Sequence, residues 1–140
     1  MLITRVQGMI DEKECQRRLG HIRDFERMLA ETGTVIVKLF LHVSSDEQRK
    51  RLQARIDDPE KQWKFDENDI VQRKRWDDYR AAYEEAIVAT DADHAPWYII
   101  PADSKTHRNL LVSTLLLEIL GGLGLAYPAP DARLSTLKIR

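Results

Sequence analysis

Two stretches of the chain repeat apolar residues at helical spacing, two more are marked by capping residues, and two shorter runs are apolar almost without interruption. From Asp11 to Thr32, Leu19, Ile22, Met28 and Leu29 recur with Phe25 between them, while Glu12, Lys13, Arg17, Arg18, Glu26 and Arg27 fill the other faces. This pattern predicts an amphipathic helix. Gly33 is placed to stop it in a left-handed cap. Val35 to Val43 follows, rich in β-branched residues and too solidly apolar for alternation. It predicts a strand buried on both faces of a parallel sheet. Ser44 and Glu47 have capping-box spacing and predict a helix to about Ile56.

Asp57-Asp58-Pro59 breaks that helix, and Glu60–Phe65 is a short polar segment carrying Lys61, Trp63 and Lys64. A second long helix is predicted from roughly Glu67 to Ala89, with Ile70, Trp76, Tyr79, Tyr83 and Ile87 at helical spacings. Trp97–Ile100 reads as a second strand. Asp103-Ser104 is placed to cap a last helix from Lys105 to about Leu120, which Gly121-Gly122 ends. Residues 1–10 are weakly patterned, and residues 123–140 read as an irregular tail. Strand followed by capped helix belongs to an α/β fold. Two strands cannot make a stable parallel sheet, however, and the first is apolar enough to require neighbours on both sides. Either another chain supplies them or this sequence is part of a larger domain.

Composition narrows the class. The 140 residues are 43% hydrophobic, 32% charged and 7% aromatic, enough for one domain with a core. Lys and Arg number 22 against 23 Asp and Glu, which excludes a polybasic nucleic-acid tail or an acidic solubilising one. The single cysteine, Cys15, excludes a disulfide framework and a Cys-rich zinc site. No stretch of eighteen apolar residues exists and the N-terminus lacks a signal-peptide pattern, so the expectation is a soluble, cytoplasmic domain without membrane or nucleic-acid partners.

The candidate chemistry lies between Gln48 and Tyr79. Arg49, Lys50, Arg51, Arg55, Lys61 and Lys64 stand there against Asp57, Asp58 and Glu60, and Arg73 and Arg75 follow. Two helices joined by a basic elbow, inserted between parallel strands, suit a flap that closes over polyanions. A solvated helix face with ordinary charge pairs would carry the same residues. Lys38 and His42, four apart in the first strand, share a face and could reach a phosphate at its C-terminal end. A snorkelling lysine and a hydrogen-bonded histidine are the plainer reading. The four histidines show no metal spacing, and no catalytic thiol is expected at Cys15. None of the six glycines precedes Lys-Ser or Lys-Thr, so the chain holds no phosphate loop.

Ala54-Arg55-Ile56-Asp57-Asp58-Pro59-Glu60-Lys61-Gln62-Trp63-Lys64-Phe65 resembles the lid of the polyphosphate kinase 2 family. The likeness continues through Asp69, Arg73, Trp76, Asp77, Asp78 and Tyr79, then Ala95-Pro96-Trp97 and Ala102-Asp103-Ser104-Lys105 with Arg108. Phe25–Leu29 and Lys38–Ser44 fit as well, so that it covers about residues 2–120. The resemblance implies an α/β, thymidylate-kinase-like P-loop fold, seen here in part: mostly helical, with two parallel strands and a helical lid. Residues 1–122 would be the C-terminal part of that domain, with the lid at about 48–80 and a tail at 123–140.

The implied activity is transfer of phosphoryl groups between inorganic polyphosphate and nucleoside mono- or diphosphates, with Mg²⁺. Arg55, Lys61, Lys64 and Arg73 become candidate contacts to polyphosphate or nucleotide phosphates, and Arg51, Arg75, Asp103 and Lys105 weaker ones. Trp63 and Trp76 would hold the lid's shape rather than touch substrate. The family's Gly-rich loop and magnesium-holding aspartates precede the matching part, so this chain alone is expected to contribute neither a catalytic residue nor a metal ligand. Its expected partners are a missing N-terminal half or further copies of itself. The alternative is a non-catalytic, polyanion-binding or regulatory fragment.

Overall fold

The computed structural model describes residues 2–136 and 138–139. A short helix α1 (Leu2–Val6) opens the chain where no element is predicted, followed by α2 (Glu12–Glu31), strand β1 (Lys38–His42) and α3 (Ser45–Ile56). A 3-10 turn (Gln62–Lys64), α4 (Glu67–Arg73) and α5 (Trp76–Thr90) lead to β2 (Trp97–Pro101) and α6 (Lys105–Gly122). The tail is irregular apart from a 3-10 turn at Ala132–Thr136. No helix among the described residues is long and apolar enough to cross a membrane.

Local chemistry sets the helix ends. Asp11 caps α2 by accepting from the Glu14 N–H at 2.7 Å. At the other end Gly33 adopts φ +91°. Its N–H bonds the Ala30 carbonyl, and the Thr34 N–H reaches back to Leu29, both at 3.0 Å, a Schellman closure that needs a residue free to take positive φ. α6 runs through Gly121 and Gly122, and the left-handed residue after it is Gly124, at φ +60°.

β1 and β2 pair in parallel, Lys38 opposite Trp97 through His42 opposite Pro101. β1 is therefore shorter than the apolar run Val35–Val43, because β2 offers only five residues to pair with. Nor is it buried on both faces: Lys38, Leu39 and Phe40 are half-buried, while Leu41 is 44% exposed. One face of the sheet does have a cover. Phe40 packs on Tyr83 of α5, ring centroids 5.0 Å apart. Trp97 donates its indole N–H to the buried Thr90 hydroxyl at 2.9 Å. Arg5 bonds Glu85 at 2.6 Å, fastening α1 to α5, and Val6, Cys15, Leu19 and Ala82 are buried around that junction.

The predicted helix Glu67–Ala89 is two helices. At Lys74 and Arg75 the amide donors reach back three residues, to Val71 and Gln72, and Arg75 leaves helical geometry at ψ 27°. No proline or glycine causes the break. What holds the bend is lateral bonding. Arg73 is tied to α3, and the Tyr79 hydroxyl donates to Gln72 Oε1 across it at 2.7 Å.

Lys38 has the bland role. Its ammonium donates to Glu26 at 2.8 Å and to the Thr90 carbonyl, with side-chain exposures of 10% for Lys38 and 14% for Glu26. Removing one partner strands a charge out of water. Glu26→Ala is expected to destabilise the fold by about 3 kcal/mol in urea denaturation, and the added Lys38→Met to recover much of that loss.

Candidate functional site

The first turn of α3 is where the C-terminal ends of both strands meet α4. Ser44 accepts from the Glu47 N–H at 3.1 Å, half of the expected capping box. The reciprocal half is not made by Glu47. Asp103, from the loop after β2, takes the Ser44 N–H at 2.7 Å instead. Glu47 binds Arg51 at 2.8 Å, and Arg51 donates to the Ala102 and Asp103 carbonyls at 2.8 and 2.9 Å. Arg73 reaches from α4 into the same turn, donating to the Ser45 carbonyl, the Ser45 hydroxyl and Gln48 Oε1 at 2.8, 2.9 and 2.7 Å.

Beside this junction opens a cleft of about 500 Å³. Phe40–Val43 of β1 and Gln48 of α3 line it, with Asp69, Gln72 and Arg73 of α4, Trp76, Tyr79, Arg80 and Tyr83 of α5, and Ile3. It lies at the carboxyl end of a parallel strand, the usual ligand position in open α/β sheets.

The candidate residues fall into distinct places. Arg73 lines the cleft, its guanidinium 5.8 Å from the Trp76 ring centre. Three of its five N–H donors are engaged, which leaves two. Arg55 is 3.7 Å from Asp69, another lining residue, and both are about 40% exposed. Lys61 pairs with Asp58, and Lys64 sits 4.9 Å over the Trp63 ring; these two belong to the elbow and do not line the cleft. Arg75 pairs with Asp78 at 3.0 Å. Lys105 opens α6, exposed, with no bonded partner among the described residues. His42 lines the cleft, 6.1 Å from the Phe40 ring.

Gln48 and Gln72 line the cleft as well, and neither is among the sequence candidates. Amides on helices otherwise read for charge and apolar period carry no local signal; only the fold brings them to Arg73 and Tyr79. Cys15 is fully buried, and burial pushes its thiol pKa up, which fits core packing and not a nucleophile. No group of three or more His, Cys, Asp or Glu among the described residues could hold a metal ion. A divalent metal is general in nucleotide kinases, but the donor set described here does not fit one.

A mostly helical arrangement with two parallel strands is part of a P-loop-kinase-like fold. The chain belongs to the polyphosphate kinase 2 family, whose model matches residues 1–122. It is 52% identical over 131 residues to the AMP/ADP-polyphosphate phosphotransferase of Meiothermus ruber, a match covering 94% of this chain and 49% of that protein. A protein of Leptolyngbya boryana, named only as an uncharacterised protein in the chlN 3′ region, is 46% identical over 112 residues, covering 80% of this chain and 82% of that one. A crystal structure of polyphosphate kinase 2 from Arthrobacter aurescens TC1 superposes with a TM-score of 0.89 at 46% identity, over 95% of this chain and 48% of that chain. This chain thus spans about half the length of the Meiothermus phosphotransferase and of the Arthrobacter kinase.

The Ser44 N–H holds the Asp103 carboxyl below its ordinary pKa, with a smaller contribution from Arg51. A carboxyl whose folded pKa lies below the unfolded value stabilises the fold above that unfolded value, about 3.9, and loses the contribution as pH falls through the folded one. Asp103→Asn keeps an acceptor but no titration. The stability difference between wild type and this variant is expected to be constant from pH 7 to about 5, and to shrink as pH falls below about 4 in acid-titrated melting curves.

Proposed function

We propose that this chain forms the lid half of a polyphosphate:nucleotide phosphotransferase, which moves phosphoryl groups between inorganic polyphosphate and nucleoside mono- or diphosphates. The observation that carries the reading is the bent basic segment within the family-matched residues 1–122, with Arg73 anchored on the strand-end junction and Lys61 and Lys64 exposed on the elbow. Phosphoryl transfer asks for charge neutralisation on the phosphates and exclusion of water, with little covalent help. Arg55, Lys61, Lys64 and Arg73 serve the first need and closure of α4 over the cleft the second. Arg51 and Asp103 act on this reading by holding the junction together, and Arg75 and Lys105 add only diffuse positive charge.

Mg²⁺ is the metal that such chemistry employs, and the other half of the family domain would hold it, since the described residues here include no fitting cluster. That half also has surfaces to pack against: Leu41 of β1 is exposed, and Leu117 of the apolar helix α6 is 71% exposed. A second reading is a polyanion-binding partner without turnover of its own, which the exposed Lys61 and Lys64 serve equally well.

Polyphosphate-dependent conversion of ADP to ATP with Mg²⁺, on the folded chain with and without the other half of a relative's domain, separates the two. Turnover that appears only with the added half supports the first. Binding without turnover in either setting supports the second, and no polyphosphate binding at all rejects both. Lys61→Ala with Lys64→Ala is expected to weaken polyphosphate binding about tenfold at low salt, and less as salt rises, because exposed cations act through screened charge. Unchanged affinity in a folded double variant would remove these lysines from the site.

A further inference from the structure

We propose that a hollow at the amino-terminal end of the two strands binds a small phosphate anion through Arg23, Arg27 and His94. It lies between α2 and the turn that leads into β2, and it shares no lining residue with the cleft at the other end of the strands. The inference stands on this end of the sheet alone and does not depend on what the cleft binds.

The hollow encloses about 270 Å³. Arg23, Asp24, Glu26 and Arg27 line it from α2, and Ala92 and His94 line it from the turn. Two constraints hold these walls together. Lys38, the first residue of β1, donates both to Glu26 of α2 and to the Thr90 carbonyl at the end of α5, so one ammonium ties the helix to the start of the turn. The turn is closed by the Ala95 N–H on the Ala92 carbonyl at 2.9 Å, and the Asp91 carboxylate accepts from the Trp97 N–H at 2.9 Å. His94 is thus carried by a bonded turn and not by a loose loop.

The charges around the hollow do not cancel. The Glu26 carboxylate is spent on Lys38, with 14% of its side chain exposed. Arg27 lies 3.1 Å from Asp24 and 3.9 Å from Glu31, in exposed pairs. Arg23 and His94 remain, both exposed and both without a bonded partner among the described residues. Exposed pairs hold their members weakly, so an entering anion can recruit Arg27 at little cost. Arg23 and Arg27 are four apart on one helix and therefore neighbours on its surface. Two guanidinium forks and an imidazole N–H then border one hollow from two sides. A carboxylate has two oxygens in one plane and is saturated by a single fork, whereas the tetrahedral oxygens of a phosphate accept from several directions. The volume also falls below that of pockets for drug-sized ligands, which start at about 300 Å³. Both features select a small tetrahedral anion over a carboxylate or a nucleotide.

The test is a titration of the isotopically labelled intact chain with inorganic phosphate, at an ionic strength held constant with chloride. It is followed by NMR through the Arg23 and Arg27 Nε–H signals and the His94 ring. Saturable shifts at all three residues are expected, with a Kd in the millimolar range. Arg23→Gln is expected to weaken phosphate about fivefold and His94→Gln about threefold, and acetate to bind the wild type about fivefold more weakly than phosphate. Neither substitution removes a bond from the fold, because both side chains are unpartnered. The response of Lys61 and Lys64 to tripolyphosphate is expected to be the same in Arg23→Gln as in the wild type. Shifts that never saturate, an affinity that Arg23→Gln leaves unchanged, or acetate bound as tightly as phosphate would each overturn the site. Loss of the tripolyphosphate response in Arg23→Gln would also overturn it, since the effect would then not be confined to this hollow.

Discussion

The arrangement depends on how the exposed amides at the start of α3 are satisfied. A helix leaves its first N–H groups without internal partners, and a strand that runs straight into a helix places them at the strand's carboxyl end. Here Ser44 takes the Glu47 N–H and Asp103, from a different loop, takes the Ser44 N–H. Completing the cap with a residue 59 positions away ties the end of β1 to the end of β2. Arg51 doubles that tie through the Ala102 and Asp103 carbonyls. Arg73 then attaches α4 to the same turn, so α4, both strand ends and the cleft share one anchor.

That anchor matters because little else is available. Among the described residues the buried apolar side chains are small in number and size: Val6, Cys15, Leu19 and Ile100 are joined only by Ala82, Ala95 and Ala102. Burial stabilises in proportion to apolar area removed from water, so alanines contribute little. Directional bonds therefore carry more of the geometry than in a domain with a deep core. The Lys38–Glu26 pair and the Thr90–Trp97 bond do the same on the α5 face of the sheet.

Elements governed by nearest neighbours could be read from the chain. Caps at Ser44 and Ser104 and the stop at Gly33 are chemistry within a few residues, and the structure has all three. The parallel pairing also followed, because a solid apolar run followed by a capped helix has few other uses. The bend at Lys74–Arg75 could not, since it is imposed by bonds from α3 and across to Tyr79, not by a breaker residue. The extent of β1 was overread for a related reason: the apolar run sets what can be strand, while the partner sets what is paired. Arg51 and Arg73 illustrate the same limit at the site. A guanidinium suits a carbonyl as well as a phosphate, and only the fold shows that these two spend donors on the protein itself.

The arginines and lysines named between residues 48 and 80 therefore separate into two physical kinds. Arg51 and Arg73 each make several bonds to backbone or half-buried groups, so withdrawing either would leave acceptors unsatisfied. Arg55, Lys61 and Arg75 each hold one carboxylate in an exposed pair. Such pairs are worth at most about 1 kcal/mol, so a multiply charged anion can take over the cation at little cost. Lys64, set against the Trp63 ring, is similarly easy to recruit. The lid proposed above draws on both kinds: fixed cations that register α4 on the strand ends, and loosely held ones that can exchange an internal carboxylate for a phosphate. The local carboxylates Asp58, Asp69 and Asp78 keep this segment from carrying a large unpaired positive charge.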